Sequence, residues 1–168
     1  MLTVGNASIG SLSGQAGSSL SVGNVQFTIQ QVTDQSFAGV ISGSGGTLVK
    51  SGTANLVLDG NNTVTGATVI SSGILTVNGS MGASNTITVT NGTTLAGAGT
   101  VNGMVSVAAN GILEPAGSNS AGTLTIGNLS MTGGSVINWD YKAGGSDKVA
   151  VTNQVILAPG GIFTIKLY

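Results

Sequence analysis

The sequence contains no Cys, no His and no Arg, and only four Lys and five Asp or Glu carry charge among its 168 residues. Without His or Cys there is no Ser-His-Asp triad, no thiolate nucleophile and no zinc site of the usual ligand types. Without Arg, and with a net charge of −1, there is no basic footprint for nucleic acid or acidic lipid. One Trp, two Tyr and three Phe cannot fill a core, so small aliphatic side chains must do so. No apolar run approaches the ~20 residues of a membrane helix. The ~10-residue strands and aromatic girdles of a membrane barrel are missing too. Met1 is followed by Leu2, Thr3, Val4, Gly5 and Asn6, with neither the basic region nor the apolar run of a signal peptide. The expectation is a piece of a longer precursor.

What is abundant is Gly at 29 positions, with 20 Ser, 20 Thr and 14 Asn, together about half the chain. Such a composition is common in flexible segments. However, hydrophobic residues still reach 40%, with 18 Val, and they alternate with Thr, Ser and Asn as half-buried strands do. The chain therefore reads as folded and all-β.

Short period-2 runs recur throughout. Examples are Leu20-Val22, Val25-Phe27-Ile29, Leu48-Val49, Leu56-Leu58, Val69-Ile70, Leu75-Val77, Ile87-Val89, Val105-Val107, Leu124-Ile126 and Phe163-Ile165-Leu167. Each is about 3 to 5 residues and ends at corners such as Asn78-Gly79, Asn91-Gly92, Asn102-Gly103, Asn110-Gly111 and Gly133-Gly134. An antiparallel sandwich and a parallel solenoid both use short strands and turns. The solenoid fits better. The strands are short for a sandwich, edges carry no protecting Pro or charge, and small corner residues suit coils stacked at ~4.8 Å. Coils of about 20 residues predict about eight turns and a rod of roughly 40 Å. Uniform composition predicts one continuous domain over residues 1–168.

Residues 45–79 are more specific. Leu48-Val49-Lys50-Ser51-Gly52, then Leu56-Val57-Leu58-Asp59-Gly60-Asn61, then Gly66-Ala67-Thr68-Val69 through Gly73-Ile74-Leu75, resemble the passenger-associated transport repeat of bacterial autotransporters. The sequence departs from that pattern at Val64, where Tyr is usual, and at Ala54, where Gly is usual. Phe37-Ala38-Gly39-Val40-Ile41 resembles the lead-in to the repeat. Thr94 to Val101, Glu114-Pro115 and Gly145-Ser146-Asp147-Lys148-Val149 resemble the coils that follow it. The resemblance implies a right-handed parallel β-helix on the outside of a Gram-negative cell, with a translocator barrel elsewhere in the same precursor.

Candidate sites are sparse. A glycosidase-like centre needs converging acids. The five carboxylates, Asp34, Asp59, Glu114, Asp140 and Asp147, are scattered, with Asp140 and Asp147 able to approach across a coil. Asp59-Gly60-Asn61-Asn62 and Gly144-Gly145-Ser146-Asp147 resemble oxygen-rich calcium loops but lack tandem repetition, so both read as turns. Gly14-x-x-Gly17 and Gly43-x-Gly45-Gly46 join no strand to a helix and carry no phosphate signal. The triplets at Asn6, Asn61, Asn78, Asn91 and Asn128 are what an Asn- and Thr-rich chain produces by chance. Lys50 reads as a stem along the coil surface with its amine in water. Trp139 and Tyr141 read as a packed cap and its neighbour. The expectations are therefore no catalytic, cofactor or metal site, no nucleic acid partner and no membrane insertion. Function is expected to be structural: folding outside the cell, aiding outward passage and displaying N-terminal regions. The alternative is an adhesive or self-associating surface that contacts a host protein or glycan. The aromatics of residues 125–168 predict that this third is the most protected.

Overall fold

A computed structural model describes residues 2, 3, 6–143, 145–159 and 161–168. Gly144, read above as part of a turn, lies outside the described residues. No helix occurs among the described residues, and every strand pairing is parallel except Tyr141–Lys142 with Gly145–Ser146. The parallel strands stack as a solenoid of about seven turns, and seven of them form one complete face.

Three faces surround the core. One is the seven-stranded sheet, running from Gln35–Phe37 through Asn55–Leu58, Ile74–Val77 and Thr94–Gly97 to Thr164–Leu167. The second includes Gln26–Gln30, Thr47–Ser51, Thr68–Ile70 and Thr86–Val89. The third begins with Leu2–Thr3, Ser19–Ser21 and Val40–Ser42 and continues at Ser80–Met81. Later strands are longer than the sequence suggests. Thr100–Val107, Thr123–Met131 and Lys148–Leu157 each span two faces, bending at register shifts instead of breaking.

Alternation sends every second side chain inward, and parallel register stacks like positions into columns. On the second face one column runs Ile9, Ile29, Lys50, Ile70, Val89, Val107, Met131, Leu157. Its neighbour runs Ala7, Phe27, Leu48, Thr68, Ile87, Val105, Leu129, Val155. The buried apolar residues form one cluster from Leu12 to Met131.

Corners set the coil spacing. At Asn110 (φ 57°) and Gly92 (φ 71°) the left-handed conformation is the reason for the residue type. At Gly66 and Gly79 the reason is close approach: a Cβ would overlap the carbonyl oxygens of Gly46 and Gly60, one coil below. Register partners are 18 residues apart at Leu2↔Leu20 and 28 apart at Val136↔Thr164, so later coils are longer and fewer turns form than eight.

The expected C-terminal stronghold is not built as the aromatics suggest. Trp139 is only partly buried, while Tyr141 and Tyr168 are 74% and 66% exposed. Lys148–Leu157 and Thr164–Leu167 pair with a neighbour on one side only among the described residues; Val149 and Val151 still pack against the core, while Val155, Leu157, Ile165 and Leu167 are exposed.

Candidate functional site

The five acids do not converge. Asp59 is exposed and accepts hydrogen bonds from Ser36 Oγ and from Asn78 Nδ2 (2.9 Å), linking three successive coils. Asp34 accepts from the backbone N–H of Asn55 at 2.7 Å. Both are corner brackets, which agrees with a structural turn at Asp59-Gly60.

Asp140 and Asp147 do meet, and both are buried. Asp147 Oδ2 accepts from the Asp140 N–H (2.9 Å) and its Oδ1 from the Gly122 N–H (3.1 Å). Asp140 Oδ2 accepts from the Ser120 N–H (3.1 Å). The two carboxylates are thus occupied by backbone donors, one from Asp140 and two from the 116–122 loop, where Ala116 and Asn119 hold φ of 60° and 64°. Beside them lies a cleft of about 230 Å³ lined by Glu114, Ser118, Asn119, Asn138, Asp140 and Tyr168. Glu114 accepts from Ser118 Oγ, which again ties down the loop. No group of three or more metal-ligating side chains occurs among the described residues.

Lys50 departs most from the sequence reading. Its amine is not in water: the residue is fully buried in the second-face column between Ile29 and Ile70. Alternation explains this, because Lys50 stands two residues after the inward Leu48. Its Nζ donates to the carbonyls of Gly52 (2.8 Å) and Ser72 (2.7 Å), one in its own corner and one in the next coil's. Burial lowers its pKa from 10.5 to about 8, and Asp34 opposes the shift.

Two more buried polar residues follow. Asn62, read above as part of a calcium-like loop, points inward and is 2% exposed. Its Oδ1 accepts from the Ile41 N–H at 2.8 Å, and its Nδ2 donates to the carbonyls of Gly60 (3.0 Å) and Ser80 (3.3 Å). The backbone here already bonds both neighbours, Asn62 N–H to Ser80 O (2.8 Å) and Thr63 N–H to Ile41 O (2.9 Å), and the amide side chain adds further rungs between Val40–Ser42 and Ser80–Met81. Thr68, fully buried, accepts at Oγ1 from Asn85 Nδ2 at 3.0 Å. Asn85 Nδ2 also donates to the Gly66 carbonyl.

Sequence reasoning missed all three positions as interior. The Leu48-x-Lys50 and Thr68-x-Ile70 alternation was the available signal, while nothing in Asp59-Gly60-Asn61-Asn62 says which amide turns inward. Among curated proteins no sequence match was found. Lys50, Asn62 and Thr68 all fall within residues 48–77, and that stretch matches the family model of the passenger-associated-transport-repeat, so these coils are similar to an autotransporter passenger repeat.

Proposed function

We propose that this chain is a structural segment of a bacterial autotransporter passenger, which folds as a rod outside a Gram-negative cell. In this reading it aids outward passage and displays whatever lies N-terminal to it. The observation that carries the reading is the repeat match at 48–77, lying within a continuous parallel solenoid. Nine charged residues and no cysteine suit a chain that threads a pore unfolded. Outside, each folded coil offers a template and an apolar face to the next. A translocator barrel of the same precursor would be its partner. No catalytic or cofactor role is proposed, because the paired acids are engaged by backbone donors. The test is surface display from a precursor carrying such a barrel. Removing residues 48–77 should lower display several-fold without lowering barrel insertion; unchanged display would overturn the reading.

A second reading is an adhesive or self-associating surface. Its support is the chain of polar side-chain contacts between coils along one side, Ser36–Asp59–Asn78 with Asn61–Ser80. Cell aggregation or glycan binding that is lost on changing Asp59 and Asn78 to Ala would favour it. Unchanged aggregation and glycan binding would count against it.

A further inference from the structure

An aliphatic solenoid has a register problem. Moving one strand by two residues against the coil below returns inward side chains to inward positions, so the apolar pattern alone tolerates the slip. Most columns here offer no protection. Above the repeat the second face stacks Ile87, Val105, Leu129 and Val89, Val107, Met131, which any two-residue shift would still leave packed as aliphatics. Corner glycines such as Gly66 and Gly79 restrain the chain sterically at the corners, where a Cβ would meet a carbonyl of the coil below.

Within residues 48–77 polar side chains enter the columns themselves, with Gln31 and Asn85 buried in the corners on either side. Each of three inward columns is interrupted once: by Lys50 between Ile29 and Ile70, by Thr68 between Leu48 and Ile87, and by Asn62 between Ile41 and Met81. Each interruption is satisfied by groups of another coil. Lys50 Nζ reaches Ser72 O, Asn62 Oδ1 takes the Ile41 N–H and its Nδ2 reaches Ser80 O, and Thr68 Oγ1 takes Asn85 Nδ2. A two-residue slip would bury an ammonium, an amide and a hydroxyl away from these partners. A buried polar group without its partner is costly, whereas a displaced Val or Leu finds another Val or Leu. A lone polar residue in an apolar seam is a well-attested way to fix register.

We propose that Lys50, Asn62 and Thr68 are the register-setting residues of this solenoid, locking the coils of the repeat to one another and to the coils on either side. The proposal deepens the folding role given above by naming the residues that perform it. Their spacing matters. Lys50 and Thr68 sit on one face and Asn62 on another, so both sides of the coil are pinned.

The test uses the full chain, whose lack of cysteine gives a clean background. Val49 and Val69 are outward register partners on adjacent parallel strands, a separation that disulfides span. A Val49→Cys/Val69→Cys chain reports the native register after refolding. Val49→Cys/Ala67→Cys and Val49→Cys/Ser71→Cys chains report slips in either direction. Adding Lys50→Met and Thr68→Val, which make both columns wholly apolar, should raise the slipped-to-native cross-link ratio roughly tenfold, the factor that about 1.4 kcal/mol of lost discrimination produces. Val105→Ala, which weakens an aliphatic column and removes no polar group, should leave the ratio unchanged. If the doubly substituted chain does not refold, Thr68→Val alone, nearly isosteric, is read the same way. A ratio that stays at the parental value, or that rises equally with Val105→Ala, overturns the proposal. The ratio is measured without translocation, so a failed display experiment leaves it unaffected and the two ideas fail separately.

Discussion

Two pairs of residues share a column yet live in different environments. Leu129 and Met131 are each 3% exposed, while Val155 and Leu157, stacked directly on them, are 51% and 52% exposed. All four are apolar residues of the same face and alternation. What differs is a strand on the far side. Burial in a solenoid is conferred by the neighbouring coil and not by the size of the side chain. This is why the aromatics near the C-terminal end do not make that end a core. Trp139 is stacked on by Leu167, itself 74% exposed.

The largest effects should come from setting one region against the other by truncation. Leu95→Ala, in the middle of the seven-stranded face and fully buried, should cost about 2–5 kcal/mol. Leu167→Ala, on the same face, should cost under about 0.5 kcal/mol, and Trp139→Ala should fall between them. Denaturant titration measures all three. Equal losses at Leu95 and Leu167 would break the comparison.

Corners sharpen it next. Gly79→Ala places a methyl group against the Gly60 carbonyl and should cost roughly 1–3 kcal/mol. Gly117→Ala meets nothing within 4 Å, so its cost is confined to backbone strain at a φ of 83°, roughly 1 kcal/mol. Melting curves of the two variants rank them.

The last effect is with pH. Lys50 has its pKa lowered to about 8 in the folded state and keeps 10.5 when unfolded. Below pH 8 both states hold the proton and the cost of the buried charge is constant. Between 8 and 10.5 the unfolded state binds more protons, so stability should rise with pH. The gain should be roughly 1–3 kcal/mol. A Lys50→Met chain supplies the baseline. No difference between the two slopes would show that the Lys50 amine is solvated after all.

Much of the fold was legible. Alternating Val, Leu and Ile with Gly and Asn corners points to stacked parallel coils, and the stretch around Leu48 to Leu75 carries the repeat pattern. Lys50 was misread because a lysine is normally solvated, although its spacing from Leu48 already put it inside. The strand at Thr100–Val107 was divided at Asn102-Gly103, where the structure bends without ending the ladder. Longer later coils could not be read from composition, because loops such as 116–122 share the Gly, Ser and Asn of every corner. The meeting of Asp140 and Asp147 was open from sequence, but their backbone partners at Ser120 and Gly122 were not.

Hydrogen exchange followed by mass spectrometry tests the central claim, that covering coils and not large side chains set local stability. Amides of residues 47–107, paired on both sides, should exchange slowest, and those of residues 136–168 should exchange well before them. If residues 136–168 outlast the central coils, the account is contradicted and the aromatic C-terminal third is the stable nucleus.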